Sequence, residues 1–161
     1  MGMENHPGVP PGPSTICLLD RRMGISIVAT VPYRRCSILV VEDDSRVSRV
    51  IRNHLEEKFD GIRVEIAGSA SKARQICEKF PPNFIVWDGT PNERGTKEEY
   101  IACIPEILWN RVIPISTDAD LQAVAAGKGA LPALPKIPDH INSWSERLAA
   151  FIGEKLGKRK K

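Results

Sequence analysis

The sequence has no long hydrophobic run. Nothing in its 161 residues approaches the ~18 consecutive apolar residues that a membrane-spanning helix needs, so insertion into a bilayer is not expected. It also has no cysteine pattern. Cys17, Cys36, Cys77 and Cys103 are far apart, with no paired Cys-x-x-Cys and no histidine at zinc-site spacing. This excludes a zinc module and a disulfide scaffold, and it points to a reducing, cytoplasmic compartment. The opening residues, "MGMENHPGVPPGPST", lack a basic leader followed by an apolar core, so they do not read as a signal peptide. An excess of one charge is missing too. The formal net charge is +3, and Lys158, Arg159, Lys160 and Lys161 supply all of it, leaving a nearly neutral body. So short a basic tail makes only a weak, salt-sensitive contact with an anionic surface. No basic–aromatic interleaving and no DNA-binding output domain are found, so no residue is assigned to nucleic-acid contact.

The chain does have a repeated strand–helix rhythm. Residues 1–15 are rich in proline and glycine and are expected to be disordered. "ICLL" (16–19) and "GISIVATV" (24–31) have strand composition and could form an extra edge strand or a pairing arm. From Ser37 the rhythm is regular. "SILVV" (37–41) is a short, dry run of the kind covered on both faces of a parallel sheet. Asp44 or Ser45 can cap a helix carrying Val47, Val50, Ile51, Leu55 and Phe59 at helical spacing. "IRVEIA" (62–67) alternates as a strand does. Ser69 can cap a second helix, with Ala70, Ala73, Ile76, Cys77 and Phe80 on one stripe.

"PPNFIVWDG" (81–89) repeats the opening unit, a dry strand ending on a carboxylate. Thr96 and Glu99 form a capping box for a third helix, expected to carry Tyr100, Ile101, Ile104 and Leu108 across an irregularity at Pro105. "RVIPIST" (111–117) reads as strand four, followed by a short helix near 118–126. "GALPALPK" (129–136) reads as a proline-laden fifth strand at an edge. A last helix over 139–156 turns Ile141, Trp144, Leu148, Phe151 and Ile152 inward. Five such units predict an α/β domain over 37–156, a doubly wound five-stranded parallel sheet with helices on both faces. Residues 1–36 form an N-terminal extension and 157–161 a basic tail.

In such sheets ligands bind beyond the carboxyl ends of the strands. Glu42 and Asp43 follow strand one, Asp88 ends strand three, Ser116 ends strand four and Lys136 ends strand five. Several carboxylates so close repel one another unless a cation lies among them. An oxygen-only set suits Mg²⁺. Asp88 is the most central acid and the expected nucleophile toward phosphorus, with Lys136 and the Ser116 hydroxyl holding phosphoryl oxygens.

"ILVVEDDSR", "FIVWDGTP", "VIPIST" and "GALPALPK" together resemble the receiver domains of bacterial two-component response regulators, the CheY-like family. The resemblance spans residues 37–156. It implies the flavodoxin-like three-layer sandwich with sheet order 2-1-3-4-5. It implies Asp88 as phosphoacceptor, and Glu42, Asp43, Asp88 and the Thr90 backbone carbonyl as Mg²⁺ ligands. Ser116 becomes the switch hydroxyl, with Thr117 as second choice, and Lys136 the phosphate-binding lysine. The implied partners are a sensor histidine kinase or phosphotransfer protein, a downstream protein target, and a second copy as a homodimer. Any catalysis would be self-phosphorylation and autodephosphorylation at Asp88, not metabolic turnover. A haloacid-dehalogenase-like hydrolase would want an aspartate two residues after the nucleophile, where Thr90 stands.

The chain departs from the pattern at several points. Ile137, not proline, follows Lys136, and a trans peptide is expected there. Ala133 replaces the aromatic switch residue. Thr117 stands where a small residue is usual, and the loop "GTPNERG" is one residue short. Two readings therefore stand: a phosphorylated signalling receiver, and a pseudo-receiver acting as an interaction module.

Overall fold

The computed structural model describes residues 36–90 and 95–158, together with the backbone of 16–19 and 26–29. The chain divides into two compact units, Met1–Arg34 and Arg35–Lys161. In the first, β1 (Ile16–Leu19) and β2 (Ser26–Ala29) pair antiparallel with each other, Ile16 opposite Ala29 and Leu19 opposite Ser26. The expected disorder of residues 1–15 and the last three residues of the basic tail lie outside the described residues, as do positions 91–94 of the shortened loop.

The second unit alternates strands and helices. It runs β3 (Ser37–Val41), α1 (Ser45–Lys58), β4 (Arg63–Ala67), α2 (Ala70–Lys79), β5 (Phe84–Trp87) and α3 (Lys97–Ala102). A 3-10 turn (Glu106–Arg111), β6 (Val112–Pro114), α4 (Ala119–Gly127), a second 3-10 turn (Pro138–His140) and α5 (Ile141–Lys158) follow. The strands form one parallel sheet in the order β4-β3-β5-β6. Its register sets Val41 beside Trp87 and Trp87 beside Pro114, so the strand ends come level.

Alternation along the strands feeds two cores. Leu39, Val41, Ile85 and Trp87 pack with residues of α2, α3 and α4 on one face. Ile38, Val40, Phe84, Val86, Ile113 and Ile115 pack with α1 and α5 on the other. Trp144 is buried in this second layer, and its indole N–H donates to the Leu134 carbonyl at 3.2 Å. The helix starts are locally encoded. Asp44 accepts from the Arg46 and Val47 amides, Ser69 from the Lys72 amide, and Thr96 and Glu99 close a capping box.

Two expectations need correction. The third helix does not run on to Leu108; it stops at Ala102, and Pro105 precedes a separate 3-10 turn. Proline lacks the amide and crowds the carbonyl one turn back, so the α-helical ladder cannot cross it. Ile104 and Leu108 still reach the core. The expected fifth strand is absent among the described residues, which hold four strands in this sheet. Residues 129–136 lie beside β6 through three amides only. Leu131 donates to the Val112 carbonyl (2.8 Å), Leu134 to Pro114 (2.8 Å) and Lys136 to Ile115 (2.9 Å). Pro132 and Pro135 have no N–H to give, so the contact never becomes a ladder.

Replacing the α1 cap tests this reading of local encoding. Asp44→Ala removes the acceptor of the Arg46 amide (2.8 Å) and should lower stability by about 1 kcal/mol in urea denaturation. A loss of only a few tenths, as glycine-like caps give, would mean that the tertiary packing of α1 sets its start instead.

Candidate functional site

The site lies at the carboxyl end of the sheet. Glu42 leaves β3 with its amide bonded to the Ala67 carbonyl (3.1 Å), and Asp88 leaves β5 with its amide bonded to the Val41 carbonyl (2.9 Å). Each backbone is therefore pinned to a neighbouring strand end. Both side chains are enclosed, Glu42 1% and Asp88 3% exposed. Lys136 arrives from the segment beside β6, held by its amide bond to Ile115. Its ammonium donates to Glu42 Oε2 at 2.8 Å and to Asp88 Oδ2 at 2.5 Å. The remaining oxygens are also engaged. Glu42 Oε1 accepts from the Asp44 amide (3.1 Å) and Asp88 Oδ1 from the Thr90 amide (3.1 Å).

Burial dominates the Glu42 carboxyl and pushes it up to about 7, although Lys136 pulls the other way. For Lys136, burial works against the charge, but the bonds to Asp88 and Glu42 outweigh it and hold the ammonium above its usual range. An ammonium shared by two enclosed carboxylates is stable because every polar atom is partnered. Removing one partner would strand the others.

The hydroxyl residues form a second cluster. Ser116 is buried, and its Oγ lies 2.6 Å from Thr90 Oγ1 and accepts from the Asp118 amide at 3.1 Å. Its carbonyl accepts from Gln122 Nε2 at 2.9 Å. Thr117 is exposed, so of the two candidate switch hydroxyls only Ser116 points into the protein. Asp118 caps α4 and forms an ion pair with Lys97 at the start of α3. Gly89 lets the Trp87 ring lie close against the backbone after Asp88, since a Cβ there would be 2.3 Å from the ring. That ring meets Trp109 edge-on at 5.4 Å and donates its N–H to the Tyr100 carbonyl at 3.1 Å.

Tyr100 was expected only as core. Its hydroxyl is buried without a hydrogen-bond partner among the described residues. Burial raises its pKa, and Asp43, Cys103, Asp88 and Glu42, in that order, add to the rise. All three acids therefore act on one buried phenol. The side chain of Thr90, expected only for its carbonyl, is the other participant that the sequence did not reveal. Its partner is 26 residues away, and no local spacing signals such a contact.

The Mg²⁺ expected here would draw on Glu42, Asp43, Asp88 and the Thr90 carbonyl. Among the described residues, no three His, Cys, Asp or Glu side chains are placed to hold a metal ion. The four carboxylate oxygens of Glu42 and Asp88 already accept bonds, and the Lys136 ammonium occupies the position between the two acids. The ammonium thus lies between two of the acids expected to hold Mg²⁺, while each carboxylate oxygen, accepting one bond, keeps a second lone pair. The peptide bonds of the described residues are all trans, as expected after Lys136.

Glu42 gives a pH signature. Its carboxyl binds a proton more tightly in the folded than in the unfolded chain. Its stabilising contribution is thus full below its ordinary value of 4.5 and is lost as pH rises to about 7. In urea denaturation, Glu42→Gln should gain on the wild type across that window, because an amide has no charge to bury. A constant gap between the two proteins would contradict this.

The chain matches no protein-family profile, and no curated protein is similar to it in sequence. Solved structures are similar in fold. The CheY-like response regulator receiver domain protein from Methanospirillum hungatei aligns at 21% identity and TM-score 0.61, over 78% of this chain and 97% of that one. The signal receiver domain of a LuxO repressor protein from Vibrio parahaemolyticus aligns at 19% identity and TM-score 0.57, over 78% and 93%. The response regulator domain of CheB from Thermotoga maritima gives 18% identity and TM-score 0.57, over 78% and 96%. The residues from Cys36 onward therefore carry the parallel α/β fold of response regulator receiver domains.

Proposed function

We propose that this chain is a phosphoacceptor signalling protein, taking a phosphoryl group on Asp88 and passing the change on through protein contacts. The observation that carries the reading is the Lys136 ammonium, bonded to Asp88 Oδ2 and Glu42 Oε2 at the carboxyl end of a receiver-type sheet. In this reading residues 129–136 hold the fifth place beside β6, giving the order 2-1-3-4-5, and residues 37–156 are the working domain. The donor is a phosphohistidine on a sensor histidine kinase or phosphotransfer protein in the cytoplasm. An Asp88 oxygen attacks phosphorus, the P–N bond breaks, and its electron pair leaves with the imidazole. The product is an acyl phosphate. Lys136 then balances phosphoryl charge in an enclosed site, where a fixed cation acts strongly. The Ser116 hydroxyl, in contact with Thr90, becomes a donor to the new oxygens.

A second reading has its own support. No three metal-holding side chains are grouped among the described residues, and Ala133 replaces the aromatic switch. These features suit a pseudo-receiver that works as an interaction module.

Incubation with acetyl phosphate, with and without added Mg²⁺, followed by intact mass spectrometry separates the two. The phosphoacceptor reading expects one phosphate on the wild type, none on Asp88→Asn, and uptake slowed at least about tenfold in Lys136→Met. No uptake by the wild type at millimolar donor in either condition would leave the interaction module.

A further inference from the structure

We infer that the Thr90 hydroxyl is a positioning residue that holds Ser116, and competes with a phosphoryl group on Asp88 for it. The inference rests on the phosphoacceptor reading above and adds how that site is regulated.

A serine hydroxyl has one proton and two lone pairs. Ser116 Oγ spends one lone pair on the Asp118 amide at 3.1 Å. Thr90 Oγ1, at 2.6 Å, takes up a second bond. Ser116 is 0% exposed, so water cannot replace a partner that is lost. We take Ser116 as the donor to Thr90, which makes its one proton a closed choice: it goes to Thr90 Oγ1 or to another acceptor inside the protein.

Thr90 is joined to both sides of that choice. Its amide donates to Asp88 Oδ1 at 3.1 Å while its hydroxyl meets Ser116. A phosphoryl group on Asp88 would add charged acceptor oxygens, and charge-assisted bonds are about twice as strong as neutral ones. With Ser116 as donor in the 2.6 Å contact, its proton reaches them only when the bond to Thr90 breaks. The Asp118 amide follows Ser116. Asp118 caps α4 through the Asp120 amide (2.9 Å) and the Leu121 amide (3.3 Å), and pairs with Lys97 of α3. Movement of Ser116 is therefore transmitted to the N-terminus of α4. With Ala133 in place of a swinging ring, this hydroxyl chain is the mechanical route that the residues provide.

Thr90→Val keeps the shape of the side chain and the amide bond to Asp88 but removes the hydroxyl. Thr90→Ser keeps the hydroxyl. The Asp118 amide resonance is followed in ¹H–¹⁵N spectra before and after acetyl phosphate, with the phosphorylated fraction read by mass. Without donor, Thr90→Val should raise the fraction of molecules in the phosphorylated-like position by about fivefold, the worth of one neutral hydrogen bond. Thr90→Ser should stay at the wild-type position. A Thr90→Val resonance that coincides with wild type, in protein whose wild type does take phosphate, overturns the inference alone. Absence of phosphate on the wild type overturns the parent reading and the inference together.

Discussion

One ammonium group holds the functional rim together. Lys136 satisfies two carboxylates that a parallel sheet necessarily brings side by side, because β3 and β5 are neighbours in register and both end on acids. Without a cation, two enclosed negative charges would oppose the packing of the strands that carry them. With it, the acids become a reason for the segment beside β6 to stay in place. That segment has only three amide bonds to the sheet, and one of them is Lys136's own. The electrostatic contact therefore does part of the work that a fifth ladder would otherwise do.

What could be read from the sequence was what is local. The dry runs 37–41 and 84–87 mark buried strands, since their neighbours contribute nothing to the pattern. Asp44, Ser69 and the Thr96–Glu99 pair mark helix starts because a cap is satisfied within three residues. Pro105 marks an irregularity in the sequence but does not by itself mark the helix end. Tertiary burial of Ile104 and Leu108 preserves the apolar spacing even though the helix has stopped. The fifth strand failed for a related reason: its composition suits an edge, but two prolines remove the amides that a ladder needs.

The site divides along the same line. Topology brings Glu42, Asp88, Ser116 and Lys136 to one edge, and that follows from strand–helix alternation. Which cation lies among the acids does not follow, because it depends on where one flexible side chain ends. Nor does the contact between Thr90 and Ser116, or the buried phenol of Tyr100, both of which arise from the packing of distant segments. A continuous chain of contacts runs from Asp88 through Thr90 and Ser116 to the cap of α4.

The most direct measurement of the central contact is a double-mutant cycle between Lys136→Met and Asp88→Asn, read as unfolding free energy in urea. If the ammonium holds the rim, the two changes are strongly non-additive, with a coupling of at least about 1 kcal/mol. Additivity to within about 0.5 kcal/mol would mean that the lysine and the acid do not depend on each other, and the account would fail at its base.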